Sequence, residues 1–374
     1  MSSLKAKREH QPTRSSLAAV PAPPISRIES RSNNLNAIRL VLATMVMVSH
    51  GFALSLGTED AEPIKRLTLG QETCGSIAVN LFFLISGMLI TASWLHSRSM
   101  SNFLMRRVLR IYPGFIVALG FSALLIWLLC PEFRRHVGHG LDWTSDLFSD
   151  AVTLSARSTA WPGIFARNPW PGSSNGSLWT IQREFECYLL VAVIGLFCLY
   201  KRRVWILIAT AIVIATFAWE LIRTKPAGHP PARLVAYFLV GMLFWLFRDK
   251  LRFSLPMALA GVGILLAAVR FPPAFSLLFL PIGSYVTLYV ALSRPFALTR
   301  WTEKTDISYG VYLYAWPVQE VVAMFPGMHT ATLNLLVSIP ITVALAFLSW
   351  TFVEHRFLKM KTVRFVDFDP AVPR

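Results

Sequence analysis

Charge is what this 374-residue chain has little of. Asp, Glu, Lys and Arg make up 15% of it, against about 25% in an ordinary soluble domain, and the mean hydropathy is +0.51. So few charges cannot cover a water-facing surface, which excludes a soluble enzyme. Acidic residues are scarcer than basic ones, 20 against 36, for a formal charge of +16. Such an excess can mark a nucleic-acid binder. Here it sits in short segments between apolar runs, which points to a membrane and not to nucleic acid. Cysteine is sparse as well. Cys74, Cys130, Cys187 and Cys198 form no Cys-x-x-Cys pair and no Cys/His spacing, so packing roles are expected and no metal site. The first 36 residues hold no apolar core, so no secretory signal peptide is expected there. No internal repeat is visible, which weighs against an inverted-repeat transporter.

Long apolar runs are what the chain does have. The one around which the others are organised is 37–56, AIRLVLATMVMVSHGFALSL, about the twenty residues that a bilayer-spanning helix needs. Nine more follow at 75–95, 111–130, 178–200, 204–222, 232–247, 255–269, 274–292, 307–325 and 332–353. The expected fold class is an all-α integral membrane protein of about ten transmembrane helices. With a cytoplasmic N-terminus, about 25 of the 36 Lys and Arg fall in inside segments and about ten outside, as the positive-inside rule requires. Both termini are therefore expected in the cytoplasm. The parts are a disordered basic tail (1–36), a ten-helix membrane domain (37–356) and a cytoplasmic tail (357–374). The one long extracytoplasmic loop is 131–177, with Trp143, Trp161 and Trp170. Its tryptophans suit either sugar contacts or the headgroup layer.

Arg39 and His50 are eleven residues apart. On a helix that is about 16 Å along the axis on nearly the same face. An ionisable group within a span is costly and is a functional candidate by default. Topology anchoring is the plain alternative for the arginine, and an inter-helix hydrogen bond for the histidine. His50 is expected in the outer third of its span, with Asn80 about 8 Å and Glu184 about 9 Å below the outer boundary. Gln319 and Glu320 approach the same depth from inside. Such a layer suits acid–base work, with His50 taking a hydroxyl proton and Glu184 assisting it. At the inner end, Arg106, Arg107 and Arg110 join Arg39, and arginine forks match phosphate oxygens.

Five segments resemble the acyltransferase family 3 of integral membrane proteins, which O-acetylate bacterial surface polysaccharides. They are the Arg39–His50 spacing, NLFFLISGMLI, RRVLRIYP, LWTIQREFECYLL and ISYGVYLYAWPVQ, spread from about Asn34 to Lys361. The resemblance implies an O-acetyltransferase in the bacterial cytoplasmic (inner) membrane. Acetyl-CoA is then the donor on the cytoplasmic side, contacted by Arg39, Arg107 and Arg110. The acceptor is a carbohydrate: an exopolysaccharide, an O-antigen or a lipid-linked oligosaccharide. His50 and Glu184 are the catalytic candidates, and Asn80, Ser86, Tyr309 and Gln319 the substrate-binding ones. Asn80 and Ala315 stand where many members carry Asp and His. No C-terminal esterase domain is expected after the last span. A transporter or exporter of a lipid-linked glycan or small polar solute is the rival reading; it predicts no acyl-CoA turnover.

Overall fold

The computed structural model describes residues 33–97, 99–137, 141–223, 231–293, 297–303 and 305–360. Residues 1–32, Arg98, Lys225, Arg294, Lys304 and the tail from Lys361 lie outside the described residues, and with them most of what was expected of the two tails. Among the described residues the regular structure is helical, with no strand. In chain order the helices are α1 (Leu35–Leu56), α2 (Pro63–Leu67), α3 (Cys74–Leu95), α4 (Met100–Leu129), α5 (Pro131–Val137), α6 (Leu141–Thr153) and α7 (Trp179–Leu196). Then come α8 (Arg203–Arg223), α9 (Pro231–Leu246), α10 (Leu255–Ala268), α11 (Ala274–Leu292), α12 (Ala297–Thr302), α13 (Ser308–Ala323) and α14 (Ala331–Lys359).

Each expected apolar stretch folds as a helix. Six of these helices, α1, α3, α4, α8, α11 and α14, are long and apolar enough to cross a membrane. The other four fall short for identifiable reasons. α9, α10 and α13 have 16, 14 and 16 residues, and α7 carries Arg183, Glu184 and Glu186 within its 18.

Local chemistry sets several of the helix ends. The Thr73 side chain accepts the Ser76 N–H at 3.0 Å while Ser76 Oγ accepts the Thr73 N–H at 2.9 Å, a reciprocal cap that starts α3. α1 stops at Gly57, whose φ of +70° suits glycine and turns its N–H back onto Ala53 O at 2.9 Å.

α13 is the central post. All its residues except Val321 are buried, against α1, α14 and α4. α8 is the opposite case, burying only Ile206, Thr210 and Phe217, with Trp205, Ile212, Trp219 and Ile222 exposed. An apolar rim around a polar-containing centre is what a hydrocarbon solvent requires.

Proline inside α13 has a visible consequence. Pro317 lacks an N–H, which frees the carbonyl of Leu313 one turn back. Asn175, from the segment before α7, donates Nδ2 to that oxygen at 3.0 Å. The long 131–177 segment is therefore folded into the helices. α6 runs back along α4, where Tyr112 donates to Val152 O at 2.8 Å. Two of its tryptophans serve internal packing: Trp143 donates to Ser158 O at 2.9 Å and Trp161 to Asp146 Oδ2 at 3.1 Å.

α3 and α9 form the closest crossing, backbone against backbone. A Cβ on Gly87 would lie 1.9 Å from Phe238 O, and one on Gly241 would lie 2.0 Å from Leu84 O. Small residues are what let membrane helices approach so closely. Gly87→Ala and Gly241→Ala are each expected to cost about 3 kcal/mol and to lower the melting temperature in detergent by about 5 °C or more. Gly120→Ala, whose Cβ would meet nothing within 4 Å, is the matched control and is expected to leave it unchanged.

Candidate active site

A cavity of about 120 Å³ lies between α1, α3, α4, α7 and α13. Its wall on α3 runs from Val79 to Ile90, about 16 Å along the axis. Arg39, Arg107 and Arg110 stand at one end, Ser86, Glu184, Tyr188 and Tyr309 line the middle, and Thr180 and Tyr312 stand at the other end. Six of the nine residues singled out from the sequence thus line one space: Arg39, Arg107, Arg110, Ser86, Glu184 and Tyr309.

The three arginines are not equivalent. Arg110 Nη2 lies 2.7 Å and Arg39 Nη1 3.3 Å from the same oxygen, Oδ2 of Asp306. Asp306 also accepts the Ser308 hydroxyl at 2.6 Å through Oδ1. Asp306 stands just ahead of α13. Burial alone would raise its carboxyl pKa, but the Arg110 and Arg39 guanidiniums outweigh that and, with Ser308, hold it well below the usual Asp value. Arg107 forms no ion pair among the described residues. Its guanidinium lies over the rings of Phe103 and Tyr188 at 5.8 and 5.9 Å, touches Ser93 Oγ at 3.4 Å, and its Nε is buried and unpaired. A second buried acid, Glu354, faces Arg110 and Arg39, and Glu184 faces Arg107.

In the middle, one oxygen of Glu184 accepts from Ser86 Oγ at 3.0 Å and from the Tyr188 hydroxyl at 2.6 Å. At the far end, the Tyr312 hydroxyl donates to Ser177 O at 3.1 Å and shares a 2.6 Å hydrogen bond with Thr180 Oγ1. The lining on α7 and α13 ends at this pair.

His50 lies beyond that pair, next to Trp316. Its ring meets Trp316 edge-on at 4.6 Å between centroids. Trp316 is four residues past Tyr312 on α13, about 6 Å further along. His50 does not line the cavity, and its Nδ1 is buried without a hydrogen bond.

Expected pairings change accordingly. Glu184 does not reach His50 but bonds Ser86, six residues past Asn80 on α3, about 9 Å deeper. The depth inferred from the start of α7 fails because that helix does not begin at the rim. Ser177, two residues before it, is already bonded to Tyr312 inside the bundle. Arg183 pairs with Glu186 at 2.9 Å, not with Glu184. Asn80 is fully buried and faces Tyr237 of α9, outside the cavity. Gln319 likewise lies outside it and donates Nε2 to Met47 O at 2.9 Å. Asp306, Thr180 and Tyr312 were not singled out from the sequence. The one available signal was an acid between the basic Arg300 and Lys304 segment and an apolar run. Among the described residues, no group of three or more His, Cys, Asp or Glu side chains is placed to hold a metal ion.

Comparison with known proteins gives one family and two relatives. The family model described as "Acyltransferase domain" matches residues 32–352. The chain is 29% identical over 342 residues to an O-acetyl transferase of Shigella phage Sf6, covering 88% of this chain and 96% of that protein. It is 27% identical over 367 residues to Nodulation protein 10 of Rhizobium leguminosarum bv. viciae, covering 88% and 94%. No solved structure matches the chain.

The shared carboxylate makes stability depend on acid pH. A carboxyl with a depressed pKa contributes fully above its unfolded value near 4 and loses that contribution as pH falls toward its folded value. Asp306→Asn leaves two partly buried guanidiniums uncompensated, at a cost of about 3 kcal/mol. It is expected to lower the melting temperature at pH 7 and to flatten the loss of stability between about pH 4 and pH 2. Acid titrations of equal steepness in wild type and variant would show that the ion pairs do not carry this dependence.

Proposed function

The chain belongs to the membrane acyltransferase family whose domain it matches, and from that premise we propose that it moves an acyl group, acetyl in the first instance, from cytoplasmic acyl-CoA to a carbohydrate hydroxyl. The acceptor is extracytoplasmic or lipid-linked, and the protein is multi-pass in a bacterial inner membrane. On this reading all ten apolar helices cross the bilayer with both termini inside. α9 and α13 are short because other helices surround much of their surface, and α10, whose Leu259, Ile264 and Leu266 are exposed, because it tilts little.

The observation that carries the proposal is the cavity. It has an arginine-lined end, a length of about 16 Å along α3 and a far end about one helical turn from His50. Arg107, which makes no ion pair among the described residues, is the first contact for the donor's phosphates. Arg39 and Arg110, braced by Asp306, complete that site. The apolar stretch of Phe82, Phe83, Ile85 and Leu89 suits the uncharged arm of the donor. Ser86 and Tyr309 line its path.

His50 then has two possible roles. As general base it takes the acceptor hydroxyl proton while the alkoxide oxygen attacks the thioester carbonyl. The carbon–sulfur bond breaks and the thiolate leaves to take up a proton. As acyl carrier its imidazole nitrogen attacks the thioester first, and the acceptor hydroxyl then attacks the acyl-imidazole. Either role requires the Tyr312–Thr180 pair to move. Glu184 acts on the donor arm through Ser86 and Tyr188, not on the imidazole.

Purified protein in lipid with radiolabelled acetyl-CoA tests this. The wild type is expected to release CoA slowly without acceptor. His50→Ala is expected to lose at least a hundredfold of that rate with donor affinity retained. Arg107→Ala is expected to weaken the donor about tenfold, the loss of one charge-assisted contact. Label held on acid-quenched protein identifies the carrier route. Full CoA release by a well-folded His50→Ala protein would sink the assignment of His50.

A further inference from the structure

The region around His50 holds a second polar cluster, separate from the donor cavity. Trp316 and Glu320 are one turn apart on α13 and share a face, with Gln319 beside them. Glu320 is fully buried. Asn168, from the segment before α7, donates Nδ2 to Glu320 Oε2 at 2.6 Å and to Glu320 O at 2.8 Å. The other carboxylate oxygen, Oε1, has no hydrogen bond, nor do His50 Nδ1, Gln319 Oε1 and Ser177 Oγ. Trp316 Nε1 faces the Glu320 carboxyl without closing an ordinary hydrogen bond. Buried polar atoms are nearly always paired, and each one left unpaired is costly. Several such atoms lie on residues beside Trp316, whose ring meets His50.

Glu184 offers a contrast. Its Oε1 takes two hydroxyl donors, and its side chain opens onto the donor cavity. Glu320 is held on one oxygen and free on the other. A buried carboxyl fixed in that way keeps one oxygen without an ordinary hydrogen bond, open to a ligand hydroxyl. The neighbouring Gln319 carbonyl is another acceptor. The ligand that satisfies them is rich in hydroxyl groups. The segment over the cluster is close-fitting: a Cβ on Gly176 would lie 2.5 Å from the Trp316 ring, and one on Gly57 2.8 Å from Pro169 O. This segment reaches the cluster from the chain that precedes α7, on the side away from the arginines.

We propose that Glu320, with Gln319 and Trp316, forms the acceptor site, Glu320 Oε1 accepting a hydrogen bond from a hydroxyl adjacent to the one that reacts at His50. The ligand class is a carbohydrate presenting neighbouring hydroxyls. The proposal rests on the O-acyltransferase reading and adds a site on the opposite side of Tyr312 from the donor. Asn168 is a positioning residue, since its side-chain hydrogen bonds go to the carboxyl and backbone of Glu320.

The test uses full-length protein in lipid vesicles with radiolabelled acetyl-CoA. The acceptor probe is envelope carbohydrate from the source cells, stripped of esters by mild base and added at graded concentrations. Glu320→Gln is nearly isosteric. Asn168 Nδ2 will hold the amide oxygen, which turns the amide NH₂ toward the ligand and replaces an acceptor by a donor. The variant is expected to raise half-saturating acceptor at least tenfold, with half-saturating acetyl-CoA within twofold of wild type. Asn168→Ala, which leaves the carboxylate in place but unheld, is expected to raise acceptor half-saturation about threefold or more. If Glu320→Gln loses its melting transition, Asn168→Ala reads the same quantity.

Unchanged acceptor half-saturation in both variants, or acceptor and donor values rising together, would overturn the acceptor site. A wild-type protein that releases CoA and labels carbohydrate, beside variants of that kind, would leave the acyltransferase reading standing. A wild-type protein that does neither would defeat both.

Discussion

One carboxylate ties the arginine end of this protein together. Asp306 receives guanidiniums from α1 and α4 on a single oxygen and sits at the start of α13. A buried charge is tolerable only when paired and hydrogen-bonded, so the three helices cannot separate there without stranding at least one ion. Arg107 makes no ion pair among the described residues and lies over the Phe103 and Tyr188 rings. On the proposed reading, structural pairing and anion attraction are divided between neighbouring arginines. Two are held rigid by Asp306, and the third is left with its charge available.

From that anchor, polar groups rise along one side of α13. Tyr309 donates to Ile111 O, Tyr312 to Ser177 O, and Gln319 to Met47 O. Each bond joins α13 to a different part of the chain, which is why a 16-residue helix with almost no exposed surface can be the centre of the bundle. Hydropathy treats such a helix as marginal, since it scores suitability for lipid. α13 meets little lipid, so its Tyr, Gln and Glu side chains answer to other helices and not to hydrocarbon. Pro317 extends the same logic: the carbonyl it frees is taken by Asn175, and the pre-α7 segment is drawn in beside Trp316.

Much of this was legible in the sequence, and the exceptions share a cause. Periodicity put Arg39 and His50 on one face of α1, and short motifs picked out six of the residues that line the cavity. Helix positions came through because apolar runs of this length have few alternatives. What did not come through was depth. Counting residues from the edge of an apolar run assumes that the run begins at the membrane surface. α7 begins inside the bundle, so Glu184 lies a helical turn or more below the level assigned to it, bonded to Ser86 and not near His50. The 131–177 segment misled in the same way. Its Trp143 and Trp161 read as surface aromatics, yet each spends its N–H within the segment. Asp306 was invisible for another reason: one acid among basic residues carries no pattern of its own until the fold brings Arg39 and Arg110 to it.

The separation of the cavity from His50 has a physical rationale on the proposed reading. A thioester donor on one side and hydroxyl acceptors on the other must meet, yet an open polar path across a bilayer would leak ions and admit water that competes for the acyl group. On that reading the Tyr312 hydroxyl, held by Ser177 and Thr180, stands between the cavity and His50 with two ordinary hydrogen bonds. Each is worth about 1 kcal/mol net. On the proposed reading, a donor arm that binds the open arrangement more tightly than the closed one by more than that sum opens the contact. The same small energy is recovered when the arm withdraws. A barrier much stronger than this would block turnover, and a weaker one would not stay shut, so a hydroxyl pair suits the position better than a buried ion pair such as the one that Asp306 makes.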